Sequence, residues 1–185
     1  MRWADLPNLI TIGRMLAVIP LVWLLMEERY VASLIVAPIA GASDAVDGYL
    51  AKRFGWQSRV GGILDPLADK LLLMCSYIVL AAQGVLPVWL VMLILGRDVI
   101  IISGGLGFHY TVARVEPEPT LISKLNTFCQ IVLVLAVLLH LSLWPLPKAA
   151  LDGLIVVVTA TTIISGLHYM GVWGRRAWLT RADRS

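Results

Sequence analysis

The stretch SDAVDGYLAKRFGWQSRVGGILDPLADK, residues 43–70, places four aspartates in a chain that is otherwise strongly apolar. The four are Asp44, Asp47, Asp65 and Asp69. Acidic residues are rare inside membrane-spanning helices, and those present almost always face the protein interior or a water-filled cavity. The stretch therefore predicts a polar functional site within, or at the edge of, two neighbouring helices.

The composition is typical of an integral membrane protein. Of the 185 residues, 59% are hydrophobic and 15% are charged, and the mean hydropathy is +0.84. Soluble domains contain roughly 25% charged residues. A bilayer core about 30 Å thick requires roughly 20 helical residues, so some apolar runs reach spanning length only if the polar residues beside them are helical too. We expect membrane lipids, and no nucleic acid, as partners.

We predict an all-α integral membrane fold with six transmembrane helices, in a single domain over residues 1–185. Proline-containing segments mark three of the turns between helices. The first apolar run is expected to be a retained span and not a cleaved signal peptide, because it is as long as a full span and contains Arg14. The predicted spans are 6–26, 31–53, 61–83, 86–108, 120–143 and 150–171.

The lysines and arginines near the span ends are distributed unevenly, which predicts the orientation in the membrane. One side carries Arg2, Lys52, Arg53, Arg59, Arg114, Arg175, Arg176, Arg181 and Arg184, and the other carries Arg29 and Lys148. The more basic side is expected to be cytoplasmic, together with both termini and the aspartate-rich stretch. We expect a bacterial inner membrane, with the mitochondrial inner membrane as the alternative.

The first pair of aspartates shares a helical face with small residues. At about 100° per residue, Asp44, Asp47 and Gly48 lie within roughly 100° of one another, and Ala51 lies between them. A carboxylate that faced lipid would cost about 3 kcal/mol. This face is therefore expected to point inward, where the small residues leave room for a ligand.

The second pair lies one turn apart in the next span. Asp65 and Asp69 are about 40° apart on a helix, and Gly61 precedes Asp65 by one turn. An alternative for Asp65 is a helix N-cap, followed by Pro66 at the first helical position. Pairing with a nearby lysine such as Lys70 is another alternative for an aspartate inside a membrane.

Four converging carboxylates would repel one another, which makes a divalent metal the natural counter-charge. Oxygen ligands without nearby His or Cys favour Mg²⁺, Mn²⁺ or Ca²⁺ over zinc or copper. Four carboxylates from two helices suit a two-metal site for phosphoryl chemistry. A metal-ion transporter is a distant alternative, but the four aspartates cluster on adjacent span edges and the sequence shows no convincing internal repeat.

The spacing Asp44-x2-Asp47-Gly48-x2-Ala51-Lys52-x8-Gly61-x3-Asp65-x3-Asp69 resembles the signature of the CDP-alcohol phosphatidyltransferases, membrane enzymes with six spanning helices. The family usually has arginine where this chain has Lys52, and Arg53 follows at once. A lysine keeps the positive charge but loses the bidentate geometry of a guanidinium. Either Lys52 or Arg53 could therefore make the phosphate contact that the family's arginine makes.

The resemblance implies that the four aspartates bind two metal ions, Mg²⁺ or Mn²⁺, and that Asp69 is also the general base. It implies CDP-diacylglycerol as the donor and CMP as the leaving group. Family members are often homodimers, so the resemblance also implies a homodimer. The residues that match donor-binding positions or lie beside them are Asn8, Thr11, Gly48, Ala51, Lys52, Ser58 and Gly61.

Charged residues in the fourth and fifth spans are candidates for binding the acceptor alcohol. We predict that Arg97 binds a phosphate of the acceptor, that Asp98 holds Arg97 in place, and that Lys124 adds a second cation. The alternatives are a self-neutralising Arg97–Asp98 pair, or a bridge to a neighbouring helix. For Lys124, the alternative role is an anchor whose side chain snorkels to the membrane interface.

Within the family, these stretches are most similar to the eukaryotic-type cardiolipin synthases, whose acceptor is phosphatidylglycerol. Phosphatidylglycerophosphate synthases, which use glycerol 3-phosphate, tend to carry a further lysine where this chain has Asn126. Phosphatidylglycerol brings one negative charge and glycerol 3-phosphate nearly two, so the neutral Asn126 favours the first. We predict cardiolipin synthesis, with phosphatidylglycerophosphate synthesis as the alternative.

Overall fold

The computed structural model describes the backbone of residues 18–41, 61–111 and 120–182, and the side chains of residues 18–41, 70–101, 103 and 120–171. All regular secondary structure in these ranges is α-helical. The helices are α1 (18–26), α2 (Tyr30–Gly41), α3 (Gly61–Ala82), α4 (Val88–Thr111), α5 (Leu121–Ser142) and α6 (Lys148–Ala182).

Three of the observed helices, α3, α4 and α5, agree with the predicted spans, and α6 differs from its predicted span at the C-terminal end. The ends of α3, α4 and α5 lie within three residues of the predicted ones. Helix α6 continues past the predicted end at residue 171 to Ala182, because no proline follows Pro147 to interrupt it. Arg175, Arg176 and Arg181 are therefore part of a long helix and not of an irregular tail.

The start of α3 corrects one sequence-based alternative. The helix begins at Gly61, so Asp65 and Pro66 lie inside it and not at its N-terminus. Asp65 is therefore not an N-cap. Inside the helix, Pro66 cannot donate the hydrogen bond that an N–H would make to the preceding turn.

Two helices in the described part of the chain are long and apolar enough to cross a membrane, Leu121–Ser142 and Lys148–Gly171. Shorter apolar helical segments are Tyr30–Gly41 and Lys70–Ala82. The prediction of six transmembrane helices is thus supported only in part. The all-helical fold itself is confirmed over the described residues.

Helix α6 has an apolar outer face and a polar inner one, the reverse of a helix in a soluble protein. Large apolar side chains at Val156, Ile163, Leu167 and Met170 are exposed along one face. On the opposite side, Val158, Thr162, Ser165 and Tyr169 are buried. This distribution fits a helix that has lipid on one side and hydrogen-bonded helices on the other.

The chain divides into two compact units, and α5 contributes residues to both. The first comprises Met1–Leu86 and Val134–Pro147, and the second comprises Pro87–Leu133 and Lys148–Ser185. A single domain over residues 1–185 stays a prediction. Within the second unit, α4 and α6 pack against each other.

Two helices of the first unit end in the same capping motif. At the end of α1, Arg29 N–H donates to Leu24 O at 2.9 Å and Glu28 N–H to Leu25 O at 3.0 Å. The motif needs a left-handed residue, and here Glu28 supplies it with φ 56°. Helix α3 ends in the same way, with Gly84 as the left-handed residue at φ 73°.

Candidate functional site

Two of the four predicted metal ligands lie on α3. Asp65 and Asp69 occupy positions one turn apart in the first half of the helix, as their spacing predicts. Their side chains, and both Asp44 and Asp47, lie outside the described residues. Among the side chains that are described, no group of three or more His, Cys, Asp or Glu residues could hold a metal ion. The two-metal site therefore stays a prediction.

Most of the predicted donor-binding residues also lie outside the described residues. Gly61 is the first residue of α3. The others lie outside the described residues: Asn8, Thr11, Gly48, Ala51, Lys52 and Ser58. Their roles stay predictions from the resemblance.

A buried cluster of polar side chains surrounds Arg97 in the second unit. Arg97 is 5% exposed and Asp98 is 6% exposed. The Nη1 atom of Arg97 donates to Asp98 Oδ1 at 2.6 Å. Its Nη2 atom donates to Ser123 Oγ and to Ser165 Oγ, each at 2.6 Å. One guanidinium thus connects α4, α5 and α6.

The local structure of α5 fixes the position of Ser123. Thr120 immediately precedes the helix, and its Oγ1 accepts a hydrogen bond from Ser123 N–H at 3.3 Å. This is the geometry of an N-cap threonine and the third residue of the helix. The first turn of α5 therefore presents the Ser123 hydroxyl to Arg97 in a defined orientation.

A second layer of hydrogen bonds joins α5 to α6. Asn126 is fully buried, and its Oδ1 accepts from Thr161 Oγ1 and Thr162 Oγ1, each at 2.9 Å. Asn126 follows Ser123 by three residues on α5, and Thr162 precedes Ser165 by three on α6. The Asn126 layer is therefore about one turn, roughly 5 Å, from the Arg97 layer.

The aliphatic part and the charged end of Arg97 both contact α6. A Cβ added to Gly166 would lie 3.6 Å from Arg97 Cγ, so the arginine packs directly against the helix at this glycine. The Arg97 Cζ lies 5.9 Å from the centroid of the Tyr169 ring, within the range of a cation–π interaction. The Tyr169 hydroxyl accepts a hydrogen bond from Thr120 N–H at 3.4 Å.

Two donors of this cluster are not satisfied. Arg97 Nε and Asn126 Nδ2 are buried and have no hydrogen-bond partner in the part of the chain that the structure describes. A buried donor without a partner costs about 1–3 kcal/mol. Such groups in a native protein call for an explanation, and a bound oxygen atom from a ligand or from water is the usual one.

The structure brings Arg97 and Asp98 together but places Lys124 elsewhere. The self-neutralising pair considered from the sequence is present, and it also holds Arg97 in place as acceptor binding requires. Lys124 is exposed, on the side of α5 that carries the exposed Leu121 and Phe128, and not on the side of Asn126. This position favours the snorkelling anchor for Lys124. Acceptor binding by all three stays a prediction.

Sequence reasoning missed the residues that hold Arg97. Ser123, Thr162 and Ser165 were not identified as site residues, although a signal was present. On α6, polar side chains recur at helical spacing on one face of an otherwise apolar helix: Thr161, Thr162, Ser165 and Tyr169. In a spanning helix, such a face indicates contact with other helices through hydrogen bonds.

Comparison with known proteins identifies the family. Residues 4–173 match the family of CDP-alcohol phosphatidyltransferases. The chain is 36% identical, over 75% of its length, to the chloroplastic CDP-diacylglycerol–glycerol-3-phosphate 3-phosphatidyltransferase 1 of Oryza sativa, of which the match covers 47%. It is 36% identical, over 89% of its length, to the cardiolipin synthase (CMP-forming)/mitochondrial hydrolase fusion protein of Schizosaccharomyces pombe, of which the match covers 30%.

A bacterial relative is covered almost completely. The chain is 32% identical, over 89% of its length, to the CDP-diacylglycerol–glycerol-3-phosphate 3-phosphatidyltransferase of Bacillus subtilis, of which the match covers 93%. By contrast, it spans about half the length, or less, of the rice and fission yeast relatives. Names of both kinds occur at similar identity, so identity alone does not distinguish the acceptors. The match over residues 4–173 shows that the chain belongs to the CDP-alcohol phosphatidyltransferase family.

Proposed function

We propose that the protein is a cardiolipin synthase, which transfers the phosphatidyl group of CDP-diacylglycerol to phosphatidylglycerol and releases CMP. Family membership supports phosphatidyl transfer from a CDP-linked lipid. Relatives named cardiolipin synthase (CMP-forming), such as that of Homo sapiens at 34% identity, support the acceptor. The observation that carries the proposal is the buried Arg97–Asp98 pair, whose guanidinium is also held by the uncharged hydroxyl groups of Ser123 and Ser165.

The charge of this cluster suits phosphatidylglycerol. Arg97 and Asp98 together have no net charge, and Ser123, Ser165 and Asn126 add none. Bringing an anion into a buried site costs less when it carries one charge and not two. A phosphodiester with one negative charge therefore fits the cluster better than the nearly dianionic phosphate of glycerol 3-phosphate.

We propose that the chain spans a bacterial inner membrane six times, with both termini and the active site on the cytoplasmic side. The spanning lengths of α5 and α6 and the exposed apolar face of α6 support a membrane location. The uneven distribution of lysine and arginine supports the orientation. A homodimer is part of the proposal only through the resemblance to the family.

We propose that two divalent cations, Mg²⁺ or Mn²⁺, are held by Asp44, Asp47, Asp65 and Asp69. Hard carboxylate oxygens are the ligands that these ions prefer, and the one-turn spacing of Asp65 and Asp69 on α3 supports a shared site. When bound, the ions would neutralise the pyrophosphate of CDP-diacylglycerol and stabilise the leaving CMP.

Asp69 is proposed to accept the proton of the attacking hydroxyl of phosphatidylglycerol. The hydroxyl oxygen then forms a bond to the phosphatidyl phosphorus of the donor. The bond from that phosphorus to the oxygen of CMP breaks, and CMP leaves with the electron pair. Lys52 or Arg53 would balance charge on the donor phosphates, and Asn8 and Thr11 would lie near the nucleotide.

A second candidate is phosphatidylglycerophosphate synthesis, with glycerol 3-phosphate as the acceptor. The Bacillus subtilis relative favours it, because the match covers 93% of a protein named for that reaction. The donor, the leaving group and the aspartates would have the same roles in both reactions. Only the groups that bind the acceptor would differ.

The test is an assay of the purified protein in phosphatidylcholine vesicles with CDP-diacylglycerol, Mg²⁺ or Mn²⁺, and one acceptor at a time. We expect CMP release that requires phosphatidylglycerol and yields cardiolipin. Release with glycerol 3-phosphate alone would instead establish the second candidate. Metal uptake into the vesicles without any CMP release would favour a transporter and contradict both.

A further inference from the structure

Two unsatisfied donors of the Arg97 cluster define what a ligand of this cluster must supply. Arg97 Nε and Asn126 Nδ2 are both N–H groups, and both side chains are more than nine-tenths buried. Among the described side chains, no buried oxygen atom lacks a hydrogen-bond partner. A ligand that completes the cluster must therefore bring hydrogen-bond acceptors and has no need to bring donors.

The partners of each side chain fix where its free N–H lies. Arg97 is held through its Nη atoms by Asp98, Ser123 and Ser165, so the guanidinium is fixed while its Nε–H remains available. The Asn126 amide is oriented by the hydroxyls of Thr161 and Thr162, which both bond to its oxygen. The amide nitrogen is therefore the group that is left for a ligand.

The residues that contact Arg97 and Asn126 form adjacent layers of the same α5–α6 contact, and the two layers are about 5 Å apart along the helix axes. Two oxygen atoms of one phosphoglycerol headgroup can bridge such a distance. Ser123, in the first turn of α5, is only half-buried, whereas Arg97 and Asn126 are buried. The first turn of α5 is therefore the side from which a headgroup reaches the two nitrogens.

We propose that Arg97 Nε and Asn126 Nδ2 together bind oxygen atoms of the phosphoglycerol group of the acceptor, and that Ser123 and Ser165 are positioning residues for Arg97. This inference rests on the proposed function and gives Asn126, which the sequence linked to acceptor choice through its lack of charge, a direct hydrogen bond to the acceptor. Asp98 balances the charge of Arg97, which lies buried beside it.

The primary test uses Asn126→Asp, which keeps the side-chain shape and the oxygen that accepts from Thr161 and Thr162. The substitution replaces the Nδ2 donor with an anionic oxygen. We expect the KM for phosphatidylglycerol to rise at least about tenfold, because a donor to a charged group is lost and a like charge is introduced. The KM for CDP-diacylglycerol should stay within about twofold. Asn126→Leu removes the donor without adding charge and should change the same parameter.

The positioning role is tested by a matched pair at Ser165. Ser165→Ala removes one hydrogen bond to Arg97 Nη2 and should raise the KM for phosphatidylglycerol about threefold to tenfold. Ser165→Thr keeps the hydroxyl and should restore the original value. Ser76→Ala is the control, since Ser76 is also buried and its hydroxyl bonds only to its own helix, at Leu72 O 2.8 Å away.

A binding experiment without the donor gives a second readout. Full-length protein in phosphatidylcholine nanodiscs is titrated with phosphatidylglycerol, and Asn126→Asp is expected to weaken binding by the same factor as the KM. Equal changes in the KM of donor and acceptor would overturn the subsite, and so would a lower melting temperature with unchanged binding. The subsite would also be overturned if a structural water satisfied both nitrogens and the variants left acceptor binding unchanged.

Failure of this inference can be distinguished from failure of the proposed function. If the unmodified protein uses glycerol 3-phosphate and not phosphatidylglycerol, the proposed function is wrong. The same variants, assayed with glycerol 3-phosphate, then decide the subsite: a raised KM supports it and an unchanged KM overturns it. If the unmodified protein makes cardiolipin and the variants leave its acceptor KM unchanged, the function stands and the subsite is wrong.

Discussion

The two compact units each contain a polar network, and the two networks differ in how completely their hydrogen bonds are made. In the first unit, Gln83 Nε2 donates to Leu25 O at 2.6 Å, and its Oε1 accepts from the Tyr30 hydroxyl at 3.4 Å. In the second unit, Arg97 Nε and Asn126 Nδ2 are buried without a partner among the described residues.

This difference separates a structural network from a candidate binding site. The Gln83 side chain joins the ends of helices and uses both its donor and its acceptor, so it needs no ligand. The Arg97 cluster joins three helices as well, but it leaves buried donors that cost stability unless something binds them. Residues around Gln83 are therefore expected to affect stability alone, and residues around Arg97 to affect acceptor use as well.

The largest effect on activity is expected outside both networks, at Asp69, which is proposed to be the general base. Asp69→Asn should lower kcat about 10³-fold, the typical contribution of a general base, with little change in the melting temperature. CMP release measures kcat, and thermal unfolding measures the melting temperature. Asp152→Asn, an exposed aspartate on α6, is the control and should leave both unchanged. Near-normal turnover in Asp69→Asn would remove the general-base role.

The next largest effect is expected from breaking the buried ion pair. Asp98→Ala leaves Arg97 buried without its carboxylate, which should lower the free energy of unfolding by about 3–5 kcal/mol. Replacing both residues, as Arg97→Met with Asp98→Leu, should cost much less stability but still impair acceptor binding. Denaturation in detergent and acceptor KM values measure these outcomes. A double variant with full acceptor affinity would make the pair purely structural.

A smaller effect is expected at Gln83. Gln83→Leu removes the hydrogen bonds to Leu25 O and Tyr30, which should lower the free energy of unfolding by about 1 kcal/mol. Tyr30→Phe removes only the longer bond and should cost less. Both KM values should be unchanged. A selective rise in the acceptor KM of Gln83→Leu would break the distinction between the two networks.

The smallest effects are expected at the two left-handed caps, and they should have opposite signs. Glu28→Gly relieves an unfavourable backbone conformation at φ 56° and should stabilise the protein by about 0.5 kcal/mol. Gly84→Ala introduces the same strain at φ 73° and should destabilise it by about 1 kcal/mol. Melting temperatures that shift in the same direction would contradict this interpretation.

Much of the helical fold could be predicted from local sequence. The ends of α3 and α5 lie close to their predicted positions because apolar runs and flanking prolines act over a few residues. The extent of α6 was underestimated, because the hydropathy pattern ends where the basic residues begin and the helix does not. The left-handed Glu28 was not predicted, since turn chemistry favours glycine there.

Some residues of the candidate site could be predicted from the sequence, and others could not. Arg97 and Asp98 could be predicted as site residues because charges inside a spanning helix are costly. Their neighbours Ser123 and Ser165 did not, because a hydroxyl in an apolar helix usually bonds to its own backbone, as Ser142 and Thr159 do here. Lys124 was predicted to join Arg97 from its charge alone, but its position on α5 depends on which face of the helix packs inward.

The sequence by itself determined the family, the helical class and the spacing of the aspartates, because these depend on residue types at fixed separations along the chain. Only the tertiary structure decided which side chains hold Arg97. Its bonds to Ser123 and Ser165 join residues 26 and 68 positions apart. Such contacts exist only when helices pack in one register and rotation, and the burial that leaves Nε and Nδ2 unsatisfied arises from that same packing.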